Sequence, residues 1–227
     1  MARGARAKGR ELPAPLPPER RTVGQLVGEA IRLYGANFWK GLALGLPVVV
    51  VNALVWAGDS AGSRFLVVLA SALLVPLSFV AGSALATGAS LRTRSALVAY
   101  VTGVLVFLPF PFLATVFVLP GLVWLALFGL AVPASLVEGL GVRKALVRGL
   151  RLARADFVHV LGGLATLALV VFITQAVLYF VLREYAENTQ RAAAVLASLV
   201  VSPLLFLGSA LLYVDQEARL RSRDTPK

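Results

Sequence analysis

The hydrophobic pattern of this chain changes character near residue 40. From Val23 to Tyr34 apolar residues recur at helical spacing: Val23, Leu26, Val27, Ala30, Ile31 and Tyr34 share one face. Gln25, Glu29 and Arg32 occupy the other, and Thr22 stands where a helix cap belongs. The spacing predicts an amphipathic helix lying at a membrane surface. Beyond it the alternation gives way to continuous apolar runs at about 41–57, 64–87, 158–182 and 192–214. Ala96–Val137 contains no charge at all. As one helix it would measure about 63 Å at 1.5 Å per residue, roughly twice the hydrocarbon thickness of a bilayer. It must double back. Leu119-Pro120-Gly121 is the expected break, giving spans at 96–118 and 121–137, with kinks at Pro109, Pro111 and Pro133.

Charge supports that count. The chain holds 22 Lys+Arg against 11 Asp+Glu. With six spans and the N-terminus inside, only Arg64, Arg183 and Arg191 fall outside; the other nineteen basic residues fall on the cytoplasmic side. A single crossing of Ala96–Val137 would place Gly141–Phe157, "GVRKALVRGLRLARADF", outside and destroy the bias. On a helical wheel Arg143, Lys144, Arg148, Arg151 and Arg154 fall in one sector. Val142, Ala145, Leu146, Leu150, Leu152, Ala153 and Phe157 fall opposite, with Asp156 out of place among them. This predicts a second amphipathic helix, basic and lying on the cytoplasmic leaflet.

Composition narrows the class. The chain of 227 residues is 59% hydrophobic and 15% charged, and its mean hydropathy is +0.84. One soluble core could not hide so much apolar surface. The net charge of +11 suggests nucleic acid at first sight, but the basic residues flank apolar runs and fit anionic lipid instead. No nucleic-acid partner is expected. There is no cysteine and one histidine, His159, so neither disulfides nor Cys- or His-cluster metal sites are expected, and no cofactor. Residues 1–21 are basic and proline-rich and read as a disordered cytoplasmic tail, 22–215 as the membrane domain and 216–227 as a cytoplasmic C-terminal tail.

Two matched blocks suggest a duplication. "IRLYGANF" (31–38) parallels "LRLARADF" (150–157), and "PLSFVAGSAL" (76–85) parallels "PLLFLGSAL" (203–211) after a one-residue gap. The implied unit is surface helix, span, loop, span, repeated in parallel about an axis along the membrane normal.

Candidate chemistry is sparse. "GDSAG" (58–62) fits G-x-S-x-G but sits in an interspan loop, with His159 on the other side of the membrane. No Asp, Glu, Lys or Arg falls mid-span, which argues against a proton-coupled carrier. Asn52, Thr174 and Gln175 are the deep polar residues and are expected to hydrogen-bond between helices. Gly41, Gly45 and Gly82 permit close helix packing. Glu138 closes the fourth span beside the arginines. Tyr213 and Asp215 close the last span, where an interfacial Tyr and an i,i+4 pair of Asp215 with Arg219 are expected.

"LPG" (119–121), Pro133, "EG" (138–139), "ALVRGLRLAR" (145–154) and "YVD" (213–215) with Arg219 resemble a bacterial family of integral membrane proteins. That family is related to the membrane domain fused to some glycerophosphoryl diester phosphodiesterases. The likeness covers about 22–220. Gly149 stands where a Ser is usual, and Gln216-Glu217 stand for Leu-Arg. The resemblance implies a six-helix membrane module of unassigned function, without the phosphodiesterase activity that belongs to the catalytic domain. "ENT" (187–189) also occurs in such catalytic domains, but here it lacks the His-Arg-Gly that precedes it there.

The expectation is an all-α polytopic bundle of a bacterial cytoplasmic membrane, both termini cytoplasmic, with two amphipathic surface helices. Its expected role is non-enzymatic: organising anionic lipid, or a partner protein or second copy of itself, through Arg143, Lys144, Arg148, Arg151 and Arg154. Glu138, Asn52, Gln175 and Asp215 are the further polar residues of interest. The alternative is a small permease-like component for a neutral or amphiphilic substrate.

Overall fold

The computed structural model describes residues 17–56, 60–116 and 118–224, and every regular element among them is helical. Among the described residues six segments are long and apolar enough to cross a membrane: Phe38–Trp56, Ala61–Thr87, Thr93–Leu113, Val118–Val137, Phe157–Leu182 and Glu187–Arg223. The chain is a multi-pass helical membrane protein.

A 3-10 turn, Pro18–Arg20, leads into α1 (Val23–Ala36). Thr22 starts α1 through a capping box: its hydroxyl oxygen accepts from the Gln25 amide, and the Gln25 side chain accepts from the Thr22 amide. Of the expected tail, residues 17–21 carry the 3-10 turn and residues 1–16 lie outside the described residues. The first span is α2 (Phe38–Ala43) and α3 (Leu46–Trp56), broken at Gly45. A Cβ on Gly45 would lie 2.3 Å from the Leu199 carbonyl oxygen. Pro203, four residues on, has no amide to offer that carbonyl. The proline leaves the carbonyl open and the glycine lets the first span press onto it. The second span, α4 (Ala61–Thr87), ends on Gly88 in the left-handed conformation, φ 69°.

The third span is α5 (Thr93–Phe107) and α6 (Phe110–Val116); the fourth is α7 (Val118–Phe128) and α8 (Ala131–Val137). The chain doubles back as charge and length require, but not at Leu119-Pro120-Gly121. The helix breaks at Leu108–Pro109, and the motif lies in the first turn or so of α7. There a proline gives up no helical hydrogen bond, so it begins a helix as readily as it ends one. The Trp124 indole N–H donates to the Val106 carbonyl at 2.8 Å and ties α7 to the frayed end of α5.

α9 (Val142–Ala155) then crosses to α10 (Phe157–Leu182) and α11 (Glu187–Asp224). α11 has 38 residues, about 57 Å at the helical rise. It continues through Gln216, which is fully buried, so the expected C-terminal tail is helical as far as Asp224. No glycine or proline interrupts 212–224, and Glu217 pairs with Arg221 one turn on. The core gathers around Phe79, Phe107 and Phe206, with ring centroids 5.0 and 5.9 Å from Phe79. The two matched sequence blocks meet here, through Phe79 and Gly82 of α4 and Phe206 of α11.

Candidate functional site

The end of the bundle that carries α1 and α9 collects most of the charge. In α9 the buried positions are Ala145, Gly149, Leu152 and Ala153. They pack against α8, α7 and α11, so protein, not lipid, covers the apolar stripe. Gly149 fits because it has no side chain: a Cβ there would lie 2.7 Å from the Ala131 backbone nitrogen. Arg143, Lys144, Arg151 and Arg154 are exposed on the opposite side. Val147, 64% exposed, falls within their sector.

Arg148 does not join that ridge. Its Nε donates to both Glu138 oxygens at 2.9 and 3.1 Å, and its Nη2 lies 4.0 Å from Glu217. The Tyr213 hydroxyl donates to Glu138 at 3.0 Å. Glu138 therefore joins the end of α8 to α9 and α11. The sequence places it beside the arginines but does not single out its partner. Arg148 is the arginine tilted furthest from the ridge centre, toward the bundle.

Beneath α1 lies a second cluster. Arg21 reaches Asp215 at 2.6 Å, and the Asp215 side chain is fully buried. His159 Nε2 lies 3.8 Å from the other Asp215 oxygen. Arg219 pairs with Asp156 at 2.6 Å and donates to the Arg21 carbonyl at 2.8 Å. Asp156 also accepts from the His159 amide and so begins α10. The expected Asp215–Arg219 pair is absent: each side chain takes a partner from another element. Asp156, the misfit on the α9 wheel, is explained by its cap and its ion pair. The pattern did not bring Arg21, Asp156, His159 and Arg219 together, and it paired Arg219 with Asp215 instead. The available signal was a lone histidine and an acidic residue at one span boundary.

The two deep amides meet near the other end of the bundle. Asn52 and Gln175 both donate to the Ser198 hydroxyl oxygen, at 2.7 and 2.9 Å, while Ser198 donates to the Ala194 carbonyl. α3, α10 and α11 are joined at one atom. Thr174 bonds within its own helix, to Val170. Of "GDSAG", Gly58 and Asp59 lie outside the described residues; Ser60 caps α4. "ENT" forms the first turn of α11. Among the described residues no group of three or more His, Cys, Asp or Glu side chains is placed to hold a metal.

The arrangement has two chemical parts: a lattice of paired charges, part-buried around the fully buried Asp215, that links helices, and an outward ridge of cations with an apolar residue among them. Comparison with known proteins finds no matching family model, no matching curated protein and no matching solved structure.

Proposed function

We propose that this chain is a non-enzymatic membrane module that gathers anionic lipid at the α9 ridge. The observation that carries the reading is the ridge itself: Arg143, Lys144, Arg151 and Arg154 exposed around an exposed Val147, opposite a packed face. Cations flanking an apolar side chain suit the headgroup region, where charge meets phosphate and the valine meets the acyl boundary. Arg148 is left out of the lipid-binding set because it is only part-exposed and turned toward Glu138 and the bundle. The ridge faces the cytosol of a bacterial cytoplasmic membrane with both termini on that side, a placement supported by the basic residues concentrated there. The motif likeness to the membrane domain fused to some phosphodiesterases belongs to the same reading and adds no catalytic role.

The test uses the full chain in detergent, titrated with phosphatidylglycerol or phosphatidylcholine and followed by native mass spectrometry. Wild type retains the anionic lipid preferentially. Replacing Arg143, Lys144, Arg151 and Arg154 with Gln lowers that retention at least about tenfold, given on the order of 1 kcal/mol per basic residue near an anionic surface. Equal retention by variant and wild type would refute the reading.

A further inference from the structure

Away from the charged end, the middle of the bundle holds a cavity of about 320 Å³ between α3, α4, α5, α6, α7, α10 and α11. Its wall is apolar, with Phe79, Phe107, Leu125, Leu164 and Phe206 among the lining residues. The polar side chains on it are three serines, Ser71, Ser202 and Ser209. A serine inside a helix ordinarily donates to the carbonyl one turn back. Ser71 and Ser209 do so, to Val67 and Leu205, at 2.7 and 2.6 Å. So do the buried serines Ser83 and Ser198, while the buried Ser78 and Ser135 donate to the Leu44 and Val132 carbonyls. Ser202 differs. It is 5% exposed, it lines the cavity, and its hydroxyl has no hydrogen-bond partner among the described residues. A buried hydroxyl without a partner is costly, so its presence in an otherwise apolar wall calls for an occupant that supplies one.

We propose that this cavity is a binding site for a small neutral amphiphile: a single chain of about ten non-hydrogen atoms carrying one hydroxyl or carbonyl that meets Ser202. The size follows from the volume, at roughly the 30 Å³ a water-sized group occupies in the liquid. Neutrality follows from the wall, which offers no charged side chain, since an ion at mid-bilayer without a counter-charge is strongly disfavoured. Entry is lateral. Ser71, Pro111 and Val171 on the lining are part-exposed, and α6 leans chiefly on α7. The rim beside Pro111 therefore faces the lipid. The site shares no residue with the α9 ridge, so either proposal can fail alone.

The probe is a decanol bearing a photoreactive diazirine in its chain, applied to the full chain in detergent. Crosslinks are expected on α4 and α11 at residues that line the cavity. Unlabelled 1-decanol competes, and decyl sulfate competes at least tenfold less well. Ser202→Ala weakens competition by 1-decanol about fivefold and leaves competition by decane unchanged. Val75→Trp fills the space and removes the crosslinks. Should that variant not fold, Ser202→Ala still decides, because it removes one atom. Crosslinks scattered over outward residues such as Phe172, or equal competition by 1-decanol in wild type and Ser202→Ala, would overturn the proposal.

Discussion

The two ends of the bundle are held by different forces. At the α9 end, ion pairs join different elements: Arg21 to Asp215, Asp156 to Arg219, Glu138 to Arg148. At the other end the pairs are local and exposed, Arg183 with Glu184 and Arg191 with Glu187. Exposed local pairs contribute little, because water screens them and ordering two long side chains costs entropy. A buried pair between elements behaves differently: removing one partner strands a charge in a medium that solvates it poorly. The α9 end is therefore clamped electrostatically. The far end relies on apolar packing and the Ser198 hydrogen bonds.

The comparison breaks most visibly at Asp215. Asp215→Ala leaves the largely covered Arg21 guanidinium without its partner, and a loss of about 3 kcal/mol is expected. Denaturant titration of the purified chain reads it; a loss below about 1 kcal/mol would mean that the cluster does not clamp. Gly149→Val tests the same end through packing. The new side chain meets the Ala131 backbone, which cannot step aside as a side-chain tip can, and about 1–3 kcal/mol is expected in the same titration. The smallest effect lies at the far end. Ser198→Ala removes the acceptor shared by Asn52 and Gln175, yet interhelical hydrogen bonds in membranes average about 0.6 kcal/mol and rarely exceed about 1.7. A loss for Ser198→Ala equal to that for Asp215→Ala would erase the distinction between the ends.

What the sequence revealed and what it withheld follow from range. The apolar runs are long and continuous, so each signals a crossing by itself. The uncharged stretch 96–137 is too long for one, so doubling back could be read from length alone. Where it turns could not, because Pro120 is as compatible with a helix start as with a helix end. The amphipathic pattern of α9 was visible, but what its apolar stripe covers was not: a wheel shows a sided helix without showing whether lipid or protein lies beneath. The clamp was least visible. Arg21 and Asp215 are 194 residues apart, and no local periodicity connects them. Local spacing instead suggested Asp215 with Arg219, a pairing the tertiary fold replaces. Ser202 is similarly silent in the sequence, since its lack of a partner emerges only when the neighbouring helices are in place.

The account as a whole depends on α9 and the α10–α11 connection lying on opposite sides of one membrane. The chain has no cysteine, so single cysteines report without background. Ala145 is buried and unsuited to labelling, whereas Val147 and Tyr185 are 64% and 61% exposed. The decisive measurement is labelling of Val147→Cys and Tyr185→Cys in intact bacterial cells with a membrane-impermeant maleimide that reaches the outer face of the cytoplasmic membrane. The account predicts that Tyr185→Cys reacts at once and Val147→Cys only after the membrane is permeabilised. Reaction at Val147→Cys from outside, with Tyr185→Cys protected, would contradict it.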